Sequence, residues 1–168
     1  KQQHKIGLMP SLFPSGVEKL PKKRFPGFTE EWKEVRLGEV ADCFDNLRKP
    51  LNQEERNKFK GQYPYCGANG IVDYVDGYLI DDDIILIAED GGYFDEFSSR
   101  PIAYKHSGKC WVNNHAHILK AKDNHCNDYI FYHLEHKNIM RYLNGGTRAK
   151  LNKSELMKIK CFLPMDKS

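Results

Sequence analysis

Two dipeptides that favour tight turns, Asn69-Gly70 and Asp76-Gly77, enclose the run Ile71-Val72-Asp73-Tyr74-Val75. Asn, Asp and Gly tolerate the positive φ that short hairpin loops require, and a brief run of β-branched and aromatic residues between such signals reads as a strand. The same logic extends on both sides. Ile84-Ile85-Leu86-Ile87-Ala88 is apolar throughout, which predicts a buried strand, and Glu89-Asp90-Gly91-Gly92 closes it with a permissive turn. Further strands are expected at 35–37, 102–105, 109–112, 117–121 and 159–163, so residues 63–104 and their surroundings are β-rich.

Helical signals are fewer. Asn127 is a good N-cap, and Ile130, Phe131, Leu134, Ile139, Met140 and Leu143 recur at helical spacing up to Gly145-Gly146. A capped turn at 29–32, a short helix at 38–41 and another at 153–158 complete the pattern. Residues 45–62 are polar and read as a long exposed loop or a mobile helix. Residues 1–28 hold four of the eight prolines. They are expected to be the end of a helix followed by an extended linker from residue 10 to residue 26, with the globular domain at 29–168. The expected fold class is α+β: a β-rich single globular domain with one main C-terminal helix.

Aromatic residues make up 12% of the 168, which argues for a packed core rather than disorder. The longest aliphatic run is the five residues from 84 to 88, too short for a membrane span, and no signal peptide is evident. The first residue is Lys, so the chain is expected to be a fragment. Five cysteines without a C-x-x-C pair suggest reduced thiols in the cytoplasm. Charge is uneven along the chain. Residues 61–100 carry nine acids against Arg100 alone, whereas residues 101–168 carry twelve basic residues and five acids. Either the basic segments form a face for a polyanion, or segments of opposite sign pack together and neutralise.

Several constellations could carry chemistry. In Asn113-Asn114-His115-Ala116-His117, a strand would put the two imidazoles on one face, as metal ligands can be, although no third or fourth ligand follows at a recognisable spacing. The same residues suit nucleic acid, since Asn can donate to and accept from adenine at once. The stretch from Gly145 to Lys153 is a glycine turn rich in cations before a helix, suited to phosphate, but it lacks the Walker spacing. The pair Glu89-Asp90 could serve acid–base chemistry, yet no nucleophile or cofactor motif accompanies it. No G-x-G-x-x-G, H-E-x-x-H, G-x-S-x-G or adenine-methyltransferase motif occurs, so a self-sufficient enzyme is disfavoured.

Other segments add up to a likeness. These are Lys5-Ile6-Gly7-Leu8-Met9 with Leu12-Phe13; Arg24-Phe25-Pro26-Gly27-Phe28, Trp32 and Val35-Arg36-Leu37-Gly38-Glu39-Val40; Tyr65 and Gly67-Ala68-Asn69-Gly70-Ile71; Leu86-Ile87-Ala88-Glu89-Asp90-Gly91; Trp111-Val112-Asn113-Asn114-His115-Ala116-His117; and Gly146-Thr147-Arg148-Ala149-Lys150-Leu151-Asn152 with the closing strand to Pro164. In order and spacing they resemble the target recognition domain of type I restriction–modification specificity subunits. The resemblance implies a subunit with two such domains, each reading half of a split duplex DNA sequence, held apart by long helices. It implies methyltransferase subunits that use S-adenosylmethionine and restriction subunits that translocate and cut. It also implies that the chain itself carries no cofactor and catalyses nothing, and that the first residues end a spacer helix.

The family's motifs mark scaffold, so the candidate readers are chosen by chemistry. Arg148, Lys150 and Lys153 are expected to hold phosphates, with Arg48 and Lys49 as helpers. Asn69, Tyr93, Asn114 and His115 are expected in the groove. Two other readings remain. One is a metal-dependent hydrolase or nuclease using His115, His117 and a carboxylate; the other is a protein-interaction module that docks through its N-terminal tail.

Overall fold

The structure is a computed structural model that describes residues 11–14, 18–145 and 149–164. Strand β1 (Lys33–Arg36) pairs antiparallel with the last strand, β10 (Lys160–Leu163), and so ties the two ends of the domain together. A single helical turn, α1 (Leu37–Val40), buries Leu37 and Val40 and leads into β2 (Ala41–Cys43). After a 3-10 turn at Asp45–Leu47 comes α2 (Gln53–Lys58), which starts at a capping box. The Asn52 side chain accepts from the Glu55 amide, and Glu55 accepts from the Asn52 amide.

Strands β3 (Lys60–Gly67) and β4 (Gly70–Val75) form the expected hairpin, followed by the short β5 (Ile80–Asp81) and by β6 (Ile84–Ala88). Next come β7 (Ala103–His106), β8 (Lys109–Val112), β9 (Ala116–Ala121), helix α3 (Asn127–Leu134) and the short α4 (Lys153–Leu156). One sheet has the order β2-β9-β6-β7 and is antiparallel throughout. The other has the order β4-β3-β8-β5, with β3 and β8 parallel.

The period-two geometry of a strand explains how these parts stack. Ile85 and Ile87 of β6 point to one side, into a core shared with Leu119 and with Ile130, Phe131 and Leu134 of α3. Ile84 and Leu86 point to the other side, where they meet Cys66, Cys110, Val112 and Ile118. Because β6 is covered on both faces, all five of its residues are buried, as its uninterrupted apolar composition requires. Beyond the second sheet, Tyr65, Val75 and Trp111 form a smaller cluster with Leu51 and Phe59. Full burial of each large apolar side chain contributes about 1.5–3 kcal/mol, so the chain needs no crosslink, and its five cysteines are free.

The C-terminal helix is shorter than its periodicity predicts. It ends at Leu134, because the carbonyl of Glu135 accepts from the Ile102 amide and the Asn138 side chain caps the Met140 amide. Ile139 is still fully buried, but from a turn, and Met140 is exposed. Asn127 is the first helical residue rather than the cap. Its side chain bridges the Ala121 amide and the Asp83 carbonyl. The hairpin loop is Ala68-Asn69 rather than Asn69-Gly70, since the register pairs Gly67 with Gly70. No capped turn forms at 29–32; the turn there is at Pro26-Gly27. In the segment expected as a linker, Phe13 lies against Trp32, Tyr129 and His133, with ring centroids 5.3–6.3 Å away. The expected helix end at 1–9 lies outside the described residues.

Candidate nucleic-acid interface

Five strand ends meet at one edge of the domain. Strands β6 and β9 are antiparallel with Ala88 opposite Ala116, so the exit of β6 lies beside the start of β9. Strands β3 and β8 run parallel, and the Asn113 amide donates to the Cys66 carbonyl just past their ends. Strand β2 leaves toward Arg48 and Lys49, and the Lys49 amide donates to the Val112 carbonyl. The loops at 44–52, 68–69, 89–93, 113–115 and 149–152 are thereby gathered. The Asn69 side-chain amide donates to the Gly91 carbonyl at 2.8 Å, which ties the hairpin tip to the loop after β6. That loop needs a glycine at 92, where a Cβ would lie 2.5 Å from the Ala88 Cβ and 3.0 Å from the Phe94 ring.

Beneath this edge is a charge network. Arg48 contacts Glu89, lies 3.2 Å from Asp45, and donates to the Ala116 carbonyl at 3.2 Å. Glu89 also holds Lys150 at 2.8 Å. The Glu89 amide donates to the His115 carbonyl, and the Glu89 carbonyl accepts from the Leu151 amide. His117, fully buried, lies 2.6 Å from Asp45 through Nδ1 and 2.7 Å from the Leu151 carbonyl through Nε2. His115, more exposed, lies 2.7 Å from Asp90. Burial alone would raise the Asp45 and Glu89 carboxyls. Hydrogen bonds from His117 to Asp45, and from Lys150 and Arg48 to Glu89, outweigh it and hold both below their usual range.

The edge thus collects Arg48, Lys49, Asn69, Asn114, His115 and Lys150 from distant parts of the chain. Their surroundings differ. The Arg48 guanidinium is mostly covered and has acceptors on several sides. Lys49 is exposed, its Nζ 5.8 Å from the Trp111 ring, whose Nε1 donates to the Lys49 carbonyl. Lys150 and Lys153 are exposed, the latter donating to the Cys43 carbonyl. Asn114 is exposed. Tyr93 follows the Gly91-Gly92 turn and lies beneath the Arg100 guanidinium. Arg148 lies outside the described residues. Residues 45–62 are not a free loop, because the 3-10 turn, α2 and the start of β3 order them. Asp45, Asp90 and His117 hold this edge together. Sequence reasoning missed Asp45 altogether, and it weighed Asp90 and His117 for acid–base or metal chemistry rather than for this bracing role.

Charge is arranged mainly by neutralisation between segments. Lys150 meets Glu89 and Lys120 meets Asp82, so the basic C-terminal part covers acids of the middle segment.

The imidazole pair expected of a metal enzyme does not form. His115 lies in the turn before β9, not on the strand, so the two rings do not share a face, and each faces a different carboxylate. Among the described residues one trio of potential ligands, Cys43, Asp45 and His117, lies within 4.8 Å. It does not suit a cation. Burial and the neighbouring Asp45 push the Cys43 thiol up to about 12, both His117 nitrogens are engaged, and Arg48 already neutralises Asp45. Among the described residues no helix is long and apolar enough to cross a membrane.

A β-rich scaffold whose loops bring amides and cations to one edge has the make-up of a recognition module. The chain belongs to the family of type I restriction modification DNA specificity domains, which it matches over residues 29–168. It is 39% identical over 143 residues to the Haemophilus influenzae chain S.HindORF215P, which is named for the specificity subunit of a type I restriction enzyme; the match covers 85% of this chain and 35% of that one. Its fold is similar to the type I restriction–modification S subunit of M. genitalium, with a TM-score of 0.66 at 14% identity, over 90% of this chain and 38% of that one. It is also similar to the HsdS subunit of Thermoanaerobacter tengcongensis, with a TM-score of 0.53 at 16% identity, over 97% of this chain and 39% of that one. The chain therefore spans little more than a third of the relatives it matches.

Proposed function

We propose that this chain reads one half of a bipartite duplex DNA sequence, as a recognition domain within a type I restriction–modification specificity subunit, and that it performs no catalysis itself. The observation that supports this most is the meeting of five strand ends at one edge, which sets exposed amides at Asn69 and Asn114 beside the cations Lys49, Lys150 and Lys153. Amides reach base edges and cations hold phosphates, so the two together supply sequence and register. Arg148 is included among the phosphate-holding residues, with Arg48, His115 and Tyr93 as part of the same surface. In this reading the chain works in the cytoplasm alongside methyltransferase subunits, which bring S-adenosylmethionine, and restriction subunits. No cofactor is assigned to the chain itself.

The test is an exchange. The specificity subunit that contains this chain, assembled with its methyltransferase subunits, is used to select from a randomised duplex library. Replacing residues 29–168 by the corresponding domain of another specificity subunit is expected to change one half of the selected sequence and leave the other half as it was. An unchanged selected sequence would refute the reading.

A further inference from the structure

Next to the charge network, the edge contains a cleft of 310 Å³ that its ion pairs leave open. It is lined by Pro50, Leu51, Tyr65 and Val72 on its apolar side, and by Asn52, Arg56, Asn113, Asn114 and His115 on its polar side, with the Arg56 guanidinium held by Asp73 at 3.1 Å and by the Leu51 carbonyl. Two of the lining residues, Val72 and Asn113, approach each other across a glycine. A Cβ at Gly67 would sit 3.0 Å from Val72 Cγ1 and 3.3 Å from Asn113 Nδ2, so the apolar and amide walls approach each other across this glycine. The Tyr104 hydroxyl donates to the Gly67 carbonyl at 2.6 Å.

The polar wall is mostly committed. The Asn113 side-chain oxygen accepts from the His115 amide at 2.8 Å, the Asn52 oxygen caps α2, and His115 Nδ1 faces Asp90. Asn114 differs. Its side chain is exposed and makes no hydrogen bond among the described residues, while its carbonyl lies 3.4 Å from Arg48, in a turn anchored by the network below. The apolar wall is open as well. Val72 is 60% exposed on β4, and its neighbours Ile71 and Tyr74 on the same strand are also exposed, so the apolar wall reaches the surface there.

We propose that this cleft reads an A·T base pair from the major groove, with the Asn114 amide on adenine and Val72, backed by Leu51, against the thymine methyl group. The assignment rests on the DNA-reading function proposed above and names the base pair that this part of the edge would select. In the major groove, adenine offers an acceptor and a donor side by side, which a primary amide matches with its own donor and acceptor. Thymine adds the one apolar group found on any base edge there. A G·C pair has no methyl group and would place an amino group of cytosine against the apolar wall. Lys49, exposed and next in the chain to Pro50 of the cleft, is placed to hold a flanking phosphate.

The test uses the complete specificity subunit with its methyltransferase subunits and a randomised duplex library. Asn114 and Val72 are exposed, so Asn114→Ala and Val72→Ala are not expected to disturb folding, which a thermal melt of each variant checks. Wild type is expected to select A·T at one position, and Asn114→Ala is expected to lower that preference by about tenfold while leaving the other positions intact. Deoxyuridine in place of thymine at that position removes only the methyl group. It should weaken wild-type binding about fourfold and leave Val72→Ala nearly unaffected. A wild-type protein with no sequence preference in either half would overturn the DNA-reading function as a whole. A clear preference that survives both substitutions, or an Asn114→Ala loss spread equally over all sequences, would overturn this assignment alone.

Discussion

Nδ1 of His117 lies 2.6 Å from Oδ2 of Asp45, on a side chain with almost no solvent exposure, and the opposite ring nitrogen lies 2.7 Å from the Leu151 carbonyl. Both ring nitrogens therefore face oxygen atoms that can only accept. The pair joins the 3-10 turn after β2, strand β9 and the segment before α4. His117→Ala is expected to lower the unfolding free energy by about 3 kcal/mol, because it removes a fully buried side chain, leaves the Leu151 carbonyl unpaired in the interior and takes one of the partners of the Asp45 carboxylate. Urea denaturation measures the change.

Asp45 and Glu89 should also make the fold sensitive to acid. Both carboxyls are held below their ordinary range in the folded chain, through His117 for Asp45 and through Lys150 and Arg48 for Glu89, against the effect of burial. A group with a depressed folded pKa gives its full stabilisation above its unfolded value and loses it as pH falls through the folded value. Stability is therefore expected to hold near neutral pH and to decline as pH drops below about 4. Urea midpoints measured across this range should show the decline, and Glu89→Gln should flatten part of it.

Little of this network could be read from the sequence, and the reason is distance along the chain. The strand at β6 was legible because five adjacent apolar residues carry their own signal, and α4 and β10 were legible for the same local reason. Arg48 and Glu89 are 41 positions apart, and Asp45 and His117 are 72 apart; only the pairing of β2 with β9 and of β9 with β6 brings them together. The C-terminal helix was overestimated because Ile139 keeps the helical period while sitting in a turn, so burial alone imitated periodicity. Cations and amides at the edge were recognisable by type. Their availability was not, since nothing local reveals that Arg48 is surrounded by acceptors whereas Lys49 is open to solvent.

The exposed lysines should govern affinity more than sequence preference. Lys49→Ala combined with Lys153→Ala removes two cations that no carboxylate in the described residues neutralises. Binding of the assembled specificity subunit to its selected duplex is expected to weaken uniformly over all sequences. The slope of log affinity against log salt should become shallower by about 2, one for each phosphate that is no longer held. Titrations at several salt concentrations, with the variant and with wild type, measure both effects.

Arg48 should behave in the opposite way, although it carries the same charge as its neighbour Lys49. Its guanidinium reaches Glu89, Asp45 and the Ala116 carbonyl at once, an arrangement that depends on a planar fork with several donors. Arg48→Lys keeps the charge but cannot serve all three acceptors, and one of them is left unpaired in a poorly solvated place. The expected result is a drop of about 2 kcal/mol in unfolding free energy with an unchanged salt slope for DNA binding, measured at a temperature where the variant remains folded. A shallower slope with unaltered stability would instead place Arg48 on a phosphate, and would mean that its ion pairs with Glu89 and Asp45 give way when DNA binds.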